Sequence, residues 1–145
     1  MRIKHWLRII LAVSAVVVLA MAMVPMTGCQ TTQLYKIGIS QLVTHPALDA
    51  AREGIIEGLA EKGYVEGEDV EFDYQNSELD MSLTVSIAEK FVSDKVDLIV
   101  TIATPNTQAA ISAVEGTDIP VVFSAITDPV GSGMVASWES HPNEN

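Results

Sequence analysis

The clearest indication of the fold is "VDLIVTIATPNTQAAISAVEGTDIPVVFSAI", residues 96–126. Two short runs rich in Val and Ile, "VDLIVTIA" and "IPVVFSAI", flank "TPNTQAAISAVEG", which is long enough for a helix. Pro105 stands at the start of that helix and Gly116 at its end, the usual places for these residues. This order of strand, helix and strand is typical of a parallel sheet with helices on its faces.

The preceding residues repeat the same alternation. "YKIGIS" (35–40) predicts a first strand, and residues 46–62 predict a helix that ends at Gly63. "VEFDYQN" (70–76) alternates as an edge strand does, and residues 80–94 predict a second helix. The apolar spacing of that second helix places Leu83, Ile87, Phe91 and Val92 inward. The sequence therefore predicts an α/β fold, an open and mainly parallel four-stranded sheet with helices on both faces.

An apolar N-terminal segment stands before this domain. Arg2, Lys4 and Arg8 precede an unbroken apolar run over residues 9–24, which Pro25 ends. This layout is typical of a secretory signal, so a hydrophobic signal helix is expected ahead of the domain. A permanent transmembrane anchor is the alternative, although the run is shorter than the roughly 20 residues that span a bilayer.

The signal segment leads into Cys29, the single cysteine of the chain. "MTGC" (26–29) resembles the bacterial lipobox, whose cysteine is lipidated and becomes the mature N-terminus. We therefore expect a lipoprotein signal peptide over residues 1–28 and a tether over residues 29–33. A lipid on Cys29 would anchor the exported domain to the outer face of the cytoplasmic membrane. One cysteine allows no intramolecular disulfide, and no zinc ligand set is present in the sequence.

The composition of the domain argues against several classes of function. After residue 28 the chain carries five basic and all 19 acidic residues, a formal net charge of −14, so nucleic acid is not expected as a partner. The acidic residues of "EGEDVEFD" (66–73) lack the spacing of a calcium loop, so no metal is expected. We find no nucleophile elbow, dinucleotide fingerprint or P-loop. A binding site without chemistry or cofactor fits better than an enzyme.

The ends of the predicted strands indicate where a ligand would bind. In an open parallel sheet, ligands lie at the carboxyl ends of the strands where the strand order reverses. The loops at these ends are "SQLVTHP", "NSELD", "TPNT" and "ITDP", and they are rich in short polar side chains. The candidate ligand-binding residues are Ser40, Gln41, Asn76, Thr104, Asn106, Thr107, Thr127 and Asp128.

Structural roles compete with binding at several of these positions. The residues from Thr104 to Thr107 begin a helix, whose free N–H groups favour an anion such as a carboxylate, yet Thr104 alone could be an ordinary N-cap. Ser40 could cap a turn, and Asp128 could stabilise an Asx turn before Pro129. His45, beside a predicted helix start, is more often structural than ligand-binding.

Three motifs in order carry a family resemblance. "HPALDAAREG", "ATPNTQA" and "TDPV" resemble the first lobe of the ABC transporter substrate-binding proteins, in the family that includes tryptophan and tyrosine binders. The likeness runs from Tyr35 to Val135. It implies a periplasmic-binding-protein-like lobe in which Ser40 and Gln41 face the cleft, Thr104 to Thr107 receive a carboxylate, and Thr127 and Asp128 lie beside them.

The resemblance also implies the function and the partners. In this family two α/β lobes close on a small ligand, and the lipoprotein delivers it to a membrane permease driven by an ATPase. Residues 34–135 are then a first lobe, and residues 136–145 the start of a truncated crossover to a second lobe that is missing here. We expect a fragment that binds an amino acid, aromatic for preference, weakly or not at all. The alternatives are a ligand-sensing domain of a membrane-associated receptor or regulator, and an exported flavodoxin-like enzyme.

Overall fold

The computed structural model describes residues 34–137. The expected signal peptide, the tether with Cys29 and the residues after 137 lie outside the described residues. Seven elements follow one another within them: β1 (Tyr35–Gln41), α1 (Pro46–Glu61), β2 (Val70–Asn76), α2 (Met81–Ser93), β3 (Leu98–Ile102), α3 (Thr104–Ala113) and β4 (Val121–Ser124). No helix in this part of the chain has the length and apolar character needed to cross a membrane.

The four described strands form one parallel sheet in the order β2-β1-β3-β4. Ile39 in the middle of β1 pairs with Tyr74 on one side and with Val100 on the other. The predicted parallel α/β fold is therefore confirmed, as is the edge position of β2. The reversal of strand order lies between β1 and β3, because the chain moves from β1 to one side and then returns across it.

The helices begin and end close to where the sequence predicts. His45 is the N-cap of α1, and its Nδ1 accepts a hydrogen bond from the N–H of Ala47 at 3.2 Å, so the structural role of this histidine is confirmed. Asp80 caps α2 by accepting from the N–H groups of Ser82 and Leu83. Gly63, just after α1, has a φ of +91°, which glycine adopts without steric cost.

The core lies on both faces of the sheet. On one face, Ile87 and Phe91 of α2 and Ala110 of α3 pack against Ile99 and Val121. On the other face, α1 packs its partly buried apolar residues against β1, β2 and β3. The two faces therefore carry separate apolar clusters, with α2 and α3 on one side and α1 on the other.

Two details of the sequence prediction are wrong. Leu83 is 42% exposed and Val92 is only partly buried, while Thr84 and Ala88 join Ile87 and Phe91 on the buried face of α2. The inward stripe is thus rotated toward small residues, which fit close to the sheet where bulkier ones do not. The sequence also predicts a helical fragment around Met134 to Glu139, but the described part of it, residues 134–137, forms bends and no helix.

Candidate functional site

The carboxyl ends of β1 and β3 meet at the reversal of strand order, where a ligand is expected in this kind of sheet. Ser40 near the end of β1 and Asn106 in the first turn of α3 meet here. Asn106 Nδ2 donates to Ser40 Oγ at 2.6 Å, and both side chains are almost fully buried. This pair joins β1 to the start of α3 across the crevice.

Asn106 keeps one polar atom unpaired. Its Oδ1 is buried and has no hydrogen-bond partner among the described residues. A buried acceptor without a partner costs about 1–3 kcal/mol, so native proteins rarely keep one without a reason. A ligand donor could satisfy this oxygen only if it reaches that buried position in the first turn of α3.

The start of α3 offers donors beside that acceptor. Pro105 has no N–H, and the first intrahelical bond of the segment runs from Thr107 N to Ala103 O at 3.2 Å. The N–H groups of Thr104 and Asn106 precede that bond, so neither has an acceptor inside the helix. Since the side chains here carry no titratable group, the attraction for an anion comes from these N–H groups and the helix dipole.

Backbone strain lies at the same place. Ala103, the N-cap of α3, has φ 92° and ψ 153° and makes no side-chain cap bond, so the N-cap role considered for Thr104 is wrong, and Thr104 is the first helical residue. This conformation is essentially restricted to glycine and costs on the order of 1–3 kcal/mol. Ala125, just after β4, also has a positive φ, of 56°. Strain of this kind is common at binding sites, where the surrounding structure maintains it.

Two of the candidate residues are turned into the protein. Thr107 is fully buried, with its Oγ1 2.8 Å from Thr101 Oγ1 and 3.1 Å from Ala103 O. Gln41 is also fully buried, and its amide bonds residues of the following loop and of α1. The hydrogen-bonding groups of both side chains are therefore used by contacts within the protein.

Of the other candidate residues, Asn76 is the last residue of β2, and Thr127 and Asp128 lie in the loop after β4. Asn76 ties two loops together, because its Nδ2 donates to Thr44 Oγ1 at 2.9 Å and its Oδ1 accepts from Glu78 N at 3.0 Å. Asp128 is exposed and closes its own turn, since its Oδ1 accepts from Gly131 N at 2.8 Å. Thr127 is exposed beside it.

Sequence reasoning missed part of this arrangement. No glycine marks the strained positions after β3 and β4, so alanine gives no signal of a positive φ there. Arg52 was not a candidate either, although its Nη1 donates to Gln41 Oε1 at 3.3 Å. The only sequence signal for Arg52 is its position 11 residues after Gln41, on the helix that follows β1.

Comparison with known proteins gives consistent results. A model of the family described as ABC transporter substrate binding protein matches residues 36–145. A tyrosine-binding protein of Clostridioides difficile (strain R20291) is 54% identical over 103 residues, which cover 71% of this chain and 29% of that protein. The chain therefore spans less than a third of the length of this curated relative.

Solved structures agree. The ligand-free, open structure of a substrate-binding protein with adhesive properties from Clostridium difficile has a TM-score of 0.69 at 50% identity. A structure from Streptococcus pneumonia, described as an ABC domain in complex with L-Trp, has a TM-score of 0.67 at 43% identity. Each match covers 72% of this chain and 35% of the other. The fold is that of a periplasmic-binding-protein-like lobe, and the chain belongs to the ABC transporter substrate-binding protein family.

Proposed function

We propose that this chain belongs to the solute-capturing component of an ABC uptake system, and that the start of α3 receives the carboxylate of an amino acid. Its partners would be a membrane permease and the ATPase that drives it. Family membership favours this role over a sensing domain or a flavodoxin-like enzyme. An aromatic amino acid is favoured because one relative is named for tyrosine and a similar structure holds L-Trp.

The observation that carries the proposal is the unpaired Asn106 Oδ1 beside the start of α3. An amino acid carries a carboxylate and an ammonium group on the same α-carbon. The carboxylate suits the free N–H groups of Thr104 and Asn106, and the ammonium group suits the Asn106 oxygen, which lacks a donor. One small molecule would then satisfy two groups that the described residues leave unsatisfied.

Ligand analogues test this assignment directly. We would titrate the ¹⁵N-labelled full chain in mild detergent with L-tryptophan and follow its amide resonances by NMR. The described lobe supplies one wall of a cleft, so we expect a dissociation constant of about 1 mM, equivalent to about 4 kcal/mol. The largest shifts should be those of the Thr104 and Asn106 amides.

Two analogues separate the two halves of the site. Tryptamine lacks the carboxylate, and indole-3-propionate lacks the ammonium group, so each should bind at least tenfold more weakly than L-tryptophan. Asn106→Ala should weaken L-tryptophan binding, whereas Gln108→Ala, a change at an exposed residue of the same helix, should not. Tryptamine binding as tightly as tryptophan would contradict the carboxylate assignment.

The anchor is a separate part of the proposal. A diacylglyceryl group on Cys29, together with an N-acyl chain, would hold the domain stably at the membrane, since a single acyl chain binds only marginally. Cells expressing the chain should incorporate radioactive palmitate into it, and Cys29→Ser should abolish the label. Label that survives this substitution would disprove lipidation at Cys29.

A further inference from the structure

The contacts of α1 raise the question of what fixes its position. None of the described residues of α1 is fully buried, although its apolar side chains face the sheet. Leu48 is the one residue of the first turn of α1 that packs against the buried cluster on this face, so apolar packing constrains this turn less than the rest of the helix. Its directional contacts are polar and lie at the end nearest the candidate site.

Gln41 is the centre of these polar contacts. It is the last residue of β1 and is fully buried. Its Nε2 donates to Val43 O at 2.9 Å and to Asp49 Oδ1 at 2.7 Å, while its Oε1 accepts from Arg52 Nη1 at 3.3 Å. Both donors and the oxygen of the amide are therefore used, and the amide orientation is fixed.

Arg52 connects Gln41 to a third element. Its guanidinium carbon lies 4.5 Å from the centre of the Tyr74 ring on β2, within the range of a cation–π contact. Its Nη1 also lies 3.5 Å from Asp49 Oδ1, and the Arg52 side chain is only 20% exposed. One planar cation thus contacts residues of β1, α1 and β2, which a lysine ammonium cannot do with the same geometry.

We propose that Arg52 is a positioning residue, which acts through Gln41 to fix the loop of residues 42–45 at the edge of the ligand cleft. Gln41 follows Ser40 directly in the chain, and Ser40 Oγ accepts the hydrogen bond from Asn106 Nδ2. Without Arg52, Gln41 Oε1 would be buried without a hydrogen-bond donor. We then expect the Gln41 amide to reorient and the end of β1 to become more mobile. The expected effect of losing Arg52 on ligand binding rests on the proposed function, whereas its expected effect on the position of the loop does not.

The test compares two substitutions that remove one positive charge each. Arg52→Met keeps much of the apolar stem and removes the donors; Lys90→Met removes a cation that pairs with Asp73 and Asp94 on the opposite face. We expect Arg52→Met to speed hydrogen exchange of the Gln41 side-chain amide and of the loop amides at least tenfold, and to weaken L-tryptophan binding about tenfold. Lys90→Met should change neither quantity by more than twofold.

Two further variants keep the test decisive if Arg52→Met does not fold. Arg52→Lys keeps the charge without the planar fork and should restore part of the affinity and of the exchange protection. Tyr74→Leu removes the stacking partner and leaves the hydrogen bonds, so it should move both quantities in the same direction as Arg52→Met, by a smaller factor. If Arg52 contributed only to overall stability, Arg52→Met and Lys90→Met would show the same exchange rates and the same affinity when compared under conditions that give them equal melting temperatures.

The outcomes for the two proposals are distinguishable. If the unaltered chain binds no L-tryptophan, the proposed carboxylate site is not supported in this chain, and the exchange measurement alone decides the role of Arg52. If exchange of the Gln41 amide in Arg52→Met equals that in Lys90→Met, Arg52 is not a positioning residue. Unchanged affinity in Arg52→Met together with faster exchange would also overturn the inference, because the loop would then be irrelevant to the ligand.

Discussion

The two faces of the sheet are packed to different degrees. On the face covered by α2 and α3, the Phe91 ring is fully buried and lies directly over Gly38. On the face covered by α1, no described helical residue is fully buried, and Val122 of β4 is 53% exposed. A groove of about 570 Å³ also opens between the end of α1 and the amino ends of the strands, lined in part by Leu59 and Leu98.

This difference matters for the candidate site because each face positions one side of it. α3, which supplies the N–H donors, packs in the dense layer through Ala110. α1 and the loop before it are held by the polar contacts of Gln41 and Arg52. The α3 side should therefore be rigid, and the α1 side should depend on a few directional bonds, which is where a ligand or a mutation can move it most easily.

Removal of the central aromatic ring should have the largest effect. Phe91→Ala should lower the free energy of unfolding by about 3–5 kcal/mol, because the ring fills the space between α2 and the sheet. Urea unfolding followed by circular dichroism measures the change. Glu89→Ala, at an exposed position of the same helix, should change stability by less than about 0.5 kcal/mol. A loss below about 1 kcal/mol for Phe91→Ala would show that this face is not the rigid one.

The same glycine-to-alanine change should have opposite signs on the two faces. A Cβ at Gly38 would lie 2.7 Å from the Phe91 ring, so Gly38→Ala should cost about 1–3 kcal/mol through overpacking. A Cβ at Gly58 in α1 meets no atom within 4 Å, so Gly58→Ala should stabilise by about 0.5–1 kcal/mol through helix propensity.

A double-mutant cycle checks the cause of the Gly38 effect. In a Phe91→Leu background the added methyl meets a smaller side chain, so the penalty should shrink. If the penalty is the same in both backgrounds, the contact with Phe91 is not its source. If Gly58→Ala destabilises the protein, the α1 face is more tightly packed than its exposure indicates.

Truncation of an apolar residue of α1 should cost less than truncation on the other face. Ile55 is partly buried against the sheet, so Ile55→Ala should lower the free energy of unfolding by about 1–2 kcal/mol, below the range of fully buried isoleucines. Glu57→Ala, on the exposed side of α1, is the matched control. A loss above about 3 kcal/mol would place α1 in a dense core and would remove the contrast between the faces.

The sequence was sufficient to predict the parallel α/β fold because its signals are local. Runs of β-branched residues, Pro105 at a helix start and Gly63 after a helix act within a few positions, and they place the ends of the elements within three residues. The inward side of α2 was misjudged at Leu83, because which flank of a helix meets the sheet depends on the neighbouring elements. Propensity carries no information on that choice.

The sequence was sufficient to predict where the candidate site lies, but not how its residues contact one another. The loops at the strand ends follow from topology alone, and Asn106 could be singled out because it opens a helix. The burial of Gln41 and the strain at Ala103 depend on contacts between residues distant in sequence, and neither residue type reports them. The role of each candidate residue in binding stays a prediction that the titrations above would test.

We expect the smallest effect from replacing Lys90, which pairs with Asp73 and Asp94 on the face covered by α2 and α3. Burial acts to raise the pKa of Asp73, but hydrogen bonds from Lys90 and Gln75, with the Lys90 charge, outweigh it and hold that pKa below its usual value. The bonds to Asp73 and Asp94 raise the pKa of Lys90. The stabilising effect is therefore complete near neutral pH, and is lost as pH falls through the lowered pKa of Asp73 or rises through the raised pKa of Lys90.

Lys90→Met should accordingly lower the free energy of unfolding by less than about 1 kcal/mol at pH 7, since the partners are largely solvated. Urea unfolding at pH 7 and at a series of lower pH values should show that the difference from the unaltered chain shrinks as Asp73 becomes protonated. A difference that grows in acid would contradict the pairing. The small size of the effect is itself informative, because on this face the buried Phe91 already holds α2 in place. On the α1 face the corresponding cation, Arg52, acts where apolar packing is incomplete, so losing it should matter more.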